Sequence, residues 1–424
     1  MRFYNCIKPF FIAFILTFNL QSCKSEDDTV SQPEDNSIKT SAVCENGFAD
    51  IYPCKGYDLM GNIPLSVLAS NLTTSTNTID GNDVWGWTDP LNGNEYAIAC
   101  TTNSTAFVNV TNPTNPIFLG RLDTETIANS WRDAKIYNNH VFIVADNAGA
   151  HGMQVFDLTR LRNITNPPQS FDADFVYNGV TKCHNIFINE NEGVAYLVGC
   201  NIYNGGPVFI DISNPTSPTE IGGYADYGYS HDAQVVTYNG PDTDYTGKQI
   251  YIGSNGNRFG SNTVVIIDVT DKANPIFISE IDYSNPGYAH QGWFTEDKKY
   301  FIFGDELDEK DSGTNSRTIV FDFTDLDNPT FKMDYLGVSA AVDHNGYVKG
   351  NNFFLANYTA GMRVLDISGI ENNLIIETAF FDTHPENNST DFNGAWSVYP
   401  YFESGNIIIN DINRGLFVIR KSEI

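Results

Sequence analysis

The sequence predicts an all-β chain folded as a seven-bladed propeller, and three observations carry that expectation. One motif recurs along most of the chain at a period of roughly 50 residues, the span of a single four-stranded blade. Each copy is preceded by a strand, a polar turn and a second strand, so every unit holds four strands. Composition agrees, because 34 Gly, 18 Pro, 22 Tyr and 29 Phe in 424 residues suit strands and turns.

The recurring motif is an apolar strand, an Asp or Asn, a hydroxyl residue and a turn rich in Asn and Pro. Its copies centre on Asn109, Asp157, Asp211, Asp268, Asp322 and Asp366. Pro fixes φ, and Asn or Asp caps the turn through its side chain. These marker residues are therefore expected to hold turns rather than to perform chemistry. The seventh unit stops after its third strand at the end of the chain. The stretch from Asp58 to Leu65 resembles the fourth strands of other units, such as Ile117 to Leu122. An N-terminal strand is thus expected to complete the last blade, within a propeller domain covering residues 44–424.

The N-terminus reads as an address. Arg2 and Lys8 precede an apolar run from Pro9 to Leu20, too short to span a bilayer comfortably. Leu20-Gln21-Ser22-Cys23 resembles a bacterial lipoprotein box, which implies a signal peptide over residues 1–22 and a lipid on Cys23. Lys24-Ser25-Glu26-Asp27-Asp28 resembles the acidic surface-export tags of Bacteroidetes lipoproteins. The resemblance implies a chain anchored by lipid in the outer membrane and facing the extracellular side. Residues 23–43 are polar and aperiodic, as in a flexible tether.

Charge narrows the partners. With 52 acidic and 24 basic side chains, a formal net charge of −28 repels phosphate backbones, so nucleic acid is excluded as a partner. A monomer is expected. An oxidising compartment permits disulfides. Cys44 and Cys54 bracket a short loop. Cys183 and Cys200 flank a hairpin whose turn runs from Glu190 to Gly193. Both pairs are expected to bridge, leaving Cys100 buried.

One constellation bears on chemistry. The first strand of each unit opens on Asn82-Asp83, Arg132-Asp133, His184-Asn185, His231-Asp232, His290-Gln291, His344-Asn345 and Asn393-Gly394. Four of the chain's 7 His thus fall at one repeat position, where chance would place about 0.1. The first strand of a blade lines the central channel, so the four imidazoles are expected to ring one mouth, with Asn82, Arg132, Asp133, Asp232 and Asn393 in the same ring. Neutral imidazoles suit a transition metal. Against that stands a hydrogen-bond belt joining neighbouring strand ends, which is the leading reading, and Arg132 would oppose a cation. Asp232 and Asp343 are the nearest acceptors for the far ring nitrogens. Asp305, Glu306, Asp308 and Glu309 form an acidic loop with the oxygen ligands that calcium takes; Asp242-x-Asp244 is a weaker version. Trp85, Trp87, Trp131, Trp293 and Trp396 are expected to wedge between blades. No G-x-S-x-G elbow, P-loop, Rossmann fingerprint or H-E-x-x-H is present.

The repeats resemble the LVIVD repeat family, and the wider pattern resembles the choice-of-anchor B family of bacterial surface proteins. The resemblance runs from about Cys44 to Phe417. It is carried by segments such as Asp83-Val84-Trp85-Gly86-Trp87-Thr88, Ser230-His231-Asp232-Ala233-Gln234, His290-Gln291-Gly292-Trp293 and Ala356-Asn357-Tyr358-Thr359-Ala360-Gly361. It implies a propeller and a surface location but no activity. Two function classes follow. The favoured one is a surface-displayed binding scaffold for an extracellular glycan or protein. The other is a metal-dependent enzyme using the four histidines.

Overall fold

The computed structural model describes residues 41–71, 78–257 and 260–423. The signal segment, Cys23 with its expected lipid, and nearly all of the tether lie outside the described residues. The rest forms seven antiparallel sheets, the blades of a propeller. Blade 1 shows the pattern: Gly81–Thr88 innermost, then Glu95–Thr101, Ser104–Asn109 and Ile117–Asp123 outward. The innermost strands of blades 2 to 7 are Arg132–Tyr137, Asn185–Asn189, Asp232–Thr237, Ala289–Phe294, Gly346–Lys349 and Ala395–Tyr399.

The marker residues do hold turns. Asn109, Asp157, Asp211, Asp268, Asp322 and Asp366 each accept a hydrogen bond from the backbone amide two residues on, at 2.9–3.0 Å. Such a turn ends the third strand and lets the chain reverse into the fourth. Apolar side chains that alternate along the strands then meet across the gaps between blades. Every junction between neighbouring blades has its own buried apolar cluster. Phe107 of blade 1 stacks on Phe156 of blade 2, for instance, with ring centroids 4.7 Å apart.

Closure uses both ends of the propeller. Tyr57–Ile63 pairs antiparallel with Gly415–Lys421, putting Leu59 opposite Ile419 and Ile63 opposite Leu416. It is the fourth strand of blade 7, as the sequence suggests. The chain just before it does something the sequence does not announce. Tyr52–Lys55 and Phe48–Ala49 extend the outer edge of blade 6, with Cys54 opposite Phe381. Gln169–Phe171 likewise runs parallel along the outer edge of blade 1. There Gly120 has φ 147°, and a Cβ on it would meet the Gln169 carbonyl oxygen at 2.1 Å, so only glycine lets the added strand approach. Both additions cover edges that would otherwise offer unpaired backbone groups.

The disulfides form as expected, Cys44–Cys54 and Cys183–Cys200, the latter with Cα atoms 3.9 Å apart at the open end of its hairpin. Cys100 is free and buried.

Leu59 and Ile63 are fully buried, each contributing about 2 kcal/mol, and their strand supplies the hydrogen-bonded edge that blade 7 lacks. A chain lacking residues 1–65 is therefore expected to lose cooperative thermal unfolding by circular dichroism. A chain lacking only residues 1–40 is expected to melt within a few degrees of the intact protein.

Candidate functional site: a histidine arc and an aromatic basin

Side chains alternate along a strand, so every second residue within each innermost strand faces the channel, and the residues at or just before the strand starts form a ring of their own. The first ring surrounds one mouth. Trp131, His184, His231, His290, His344 and Trp396, one from each of blades 2 to 7, follow one another around it. Centroid separations between successive rings are 6.2, 4.2, 4.3, 4.3 and 4.8 Å. With Tyr229, Tyr288 and Glu306 they line a cavity of about 560 Å³.

Hydrogen bonds orient the imidazoles. Nδ1 of His231 lies 3.1 Å from the His290 carbonyl oxygen, and Nδ1 of His344 lies 2.6 Å from that of Trp396. A carbonyl only accepts, so each Nδ1 carries the hydrogen and each Nε2 keeps its lone pair. His184 Nδ1 is 3.1 Å from Asp146, whose other oxygen takes Lys182 at 2.9 Å. His290 Nδ1 is buried without a partner. This is the belt between strand ends, with backbone carbonyls and Asp146 as acceptors in place of Asp232 and Asp343. Burial, and then the neighbouring imidazoles, hold His231 and His290 well below the ordinary histidine pKa, and burial lowers His344 to about 4. All three rings are neutral at physiological pH.

The four imidazoles do not converge on one point, which corrects the expected four-His centre. They lie side by side along an arc, so the first and fourth are three steps apart. The ligand atoms that do come within 4.8 Å of one another belong to His290, His344 and Glu306. Glu306 Oε2 is 3.8 Å from His290 Nε2, and Oε1 is 3.7 Å from His344 Nε2. The Tyr358 hydroxyl donates to Glu306 Oε1 at 2.7 Å. Burial pushes the Glu306 carboxyl up to about 7.

Glu306 therefore leaves the acidic loop to join the histidines, and the expected calcium loop does not assemble. Asp305 accepts from the amides of Gly287, Tyr288, Leu307 and Asp308 and from the Tyr283 hydroxyl. Asp308 pairs with Arg317 at 2.6 Å, and Glu309 accepts from the Arg317 amide at 3.0 Å. The three carboxylates that remain diverge into backbone and ion-pair roles. Asp242 instead gathers with Asp325 and Asp327 near the surface, where its oxygens accept the amides of Asp244 and Leu326.

The other expected ring members are dispersed. Arg132 turns away from the mouth, 2.9 Å from His151 Nε2 and 3.3 Å from the Thr101 carbonyl. It opposes no cation there. Asn82 is buried, Asn393 bonds Asn413 at the rim, and Asp232 accepts the Ala233 amide. Asp133 sits lower in the channel and, with Asp83, holds Lys135 at 2.5 and 3.0 Å. Burial alone would lower the pKa of that ammonium; the two carboxylates outweigh it and keep Lys135 charged.

Lys135 belongs to a belt of side chains that meet in the channel at mid-height. Its Nζ lies 4.6 Å over the Trp85 ring. Trp85 meets Tyr347 edge-on at 5.7 Å, Tyr347 meets Trp293 at 5.0 Å, and Trp293 meets Phe187 at 5.8 Å. Beyond the belt a second basin of about 710 Å³ opens at the opposite mouth. Tyr399, Tyr401 and Tyr137 are in its walls, and Glu190, Glu296 and Asn138 also line it. Of the five tryptophans, Trp87 packs into the junction of blades 1 and 2. Trp85 and Trp293 face the channel, and Trp131 and Trp396 face the histidine mouth. The period of two along the innermost strands, counted from Asp83 to Trp85 and from Gln291 to Trp293, was the signal for that.

Comparisons with known proteins agree with the fold. Residues 203–226 and 246–283 match the LVIVD repeat, covering strands of blades 3 and 4. No curated protein matches the chain. A putative 6-phosphogluconolactonase from Bacteroides uniformis is similar in structure, with 11% identity and a TM-score of 0.51 over 72% of this chain and 85% of that one. The Cps50 (Swd1) β-propeller domain of Myceliophteria thermophila has 8% identity and a TM-score of 0.48 over 77% and 94%. The chain is a seven-bladed β-propeller containing LVIVD repeats.

The buried acids give the fold a pH dependence. Burial, and then the charge of Asp308, push the Glu309 carboxyl from 4.5 up to about 10. Between those values the folded state holds a proton that the unfolded chain releases, so stability falls as pH rises, by at most about 1.4 kcal/mol per unit. The melting temperature is expected to fall between pH 7 and 9.5 in calorimetry. Glu309→Gln, which keeps the shape of the protonated acid, is expected to flatten that fall.

Proposed function

We propose that the chain is a lipid-anchored protein displayed outside the outer membrane, and that its propeller is a binding scaffold for a neutral glycan. The observation that carries this reading is the aromatic basin. A sugar ring has an apolar C–H face and a rim of hydroxyls, so it is recognised by aromatic faces beside carboxylate and amide groups. Trp85, Trp293, Tyr399 and Tyr401 supply the first, and Glu190, Glu296 and Asn138 supply the second. The volume, about 710 Å³, is that of an oligosaccharide site rather than a single-ion pocket. The net charge of −28 disfavours anionic polymers and leaves neutral ones. The resemblance of the N-terminus to a lipoprotein signal supports display at the surface, where such polymers are met.

Titration calorimetry with neutral tetrasaccharides of glucose, xylose and N-acetylglucosamine is expected to find at least one that binds. Tyr401→Ala, at the wall of the basin, is expected to weaken it by about tenfold, as loss of one stacking face would. Failure of every sugar, or binding unchanged by Tyr401→Ala and Trp293→Ala, overturns the reading. Cys23→Ala is expected to release the protein from the membrane fraction into the soluble one.

A further inference from the structure

We infer that His290, His344 and Glu306 form a mononuclear site for a divalent transition metal ion at the mouth opposite the glycan basin. The inference does not depend on the basin. Three observations converge on it.

The first is spacing. The Glu306 oxygens lie 3.8 and 3.7 Å from the two Nε2 atoms. That is beyond a hydrogen bond and closer than a bridging water would set them. Ligands held at about 2.0–2.1 Å in a tetrahedral site are about 3.3 Å apart, so a small closing movement of the Glu306 side chain completes the geometry. The second is protonation. His344 Nδ1 is committed to the Trp396 carbonyl, which leaves the Nε2 lone pair directed at the carboxylate. The Tyr358 hydroxyl steadies that carboxylate, in the way outer hydrogen bonds orient metal ligands. The third is enclosure. His290 and His344 are almost fully buried, and one ligand atom from each of them and from Glu306 lie within 4.8 Å of one another.

Two imidazoles and one carboxylate select an ion of the zinc or ferrous class over calcium, which takes six or more oxygens. Three protein ligands leave positions open to the cavity of about 560 Å³, as in metal sites that also bind a small molecule. His231, next along the arc with its ring centroid 4.3 Å from that of His290, borders the open side.

The test uses the untagged full chain, stripped with chelator and dialysed. Equilibrium titration with Zn²⁺ is expected to give one ion per chain, with Ca²⁺ failing to compete at a thousandfold excess. Co²⁺ is expected to give visible d–d bands of a nitrogen–oxygen site. Glu306→Gln and His290→Ala are each expected to weaken Zn²⁺ by at least a hundredfold and to abolish the cobalt bands. Their folding is checked by melting temperature. Should either fail to fold, Tyr358→Phe serves in its place, with an expected loss of about tenfold. No stoichiometric Zn²⁺ binding by the wild type, or undiminished binding in the folded variants, overturns the assignment.

Discussion

Closure of the ring is the constraint on which the rest of the molecule depends. Blade 7 borrows its outer strand, Tyr57–Ile63, from the far end of the propeller sequence, and that strand adds Leu59 and Ile63 to the apolar clusters on the two faces of the blade. A propeller blade cannot bury its two faces alone. Each face is covered by the next blade, so the chain of clusters is stable when it has no ends. The channel geometry, and therefore every distance in both mouths, follows from that closure.

Within the ring, one strand position in each blade repeats the same backbone geometry, and function differs only in which side chain the blade places there. Blades 3 to 6 place histidine, blades 2 and 7 bring tryptophan beside it, and blade 1 has the buried Asn82. Three residues further along, the same strands carry Trp85, Lys135, Phe187, Trp293 and Tyr347, which meet at mid-height. The repeat explains why rings form. Glu306 shows the limit of the repeat, since it enters the mouth from a loop rather than an aligned strand position.

That contrast sets what was legible in the sequence. The blades, the turn markers, the two disulfides and the closing strand are written in period, turn chemistry and spacing, all of which are local or repeated. The histidine ring was legible for the same reason. What it binds to itself with was not: carbonyl acceptors for His231 and His344 depend on how neighbouring strand ends abut, and no residue type marks a backbone oxygen. The acidic loop was misread because five donors converge on Asp305 and one arginine on Asp308, contacts that come from residues far apart in the chain. Trp87 packs between blades as expected; the other four tryptophans were misplaced because bulk and apolarity do not distinguish a junction from a channel wall, and only the count along the strand does.

The mid-height belt lies between two cavities along the axis of the wheel. The cavity on the imidazole side and the one beyond the belt share no wall residue. Occupants of the two are then energetically independent to the extent that separated sites in one fold generally are. The molecule accordingly holds two separate cavities on opposite faces, each free to change by substitution without disturbing its counterpart.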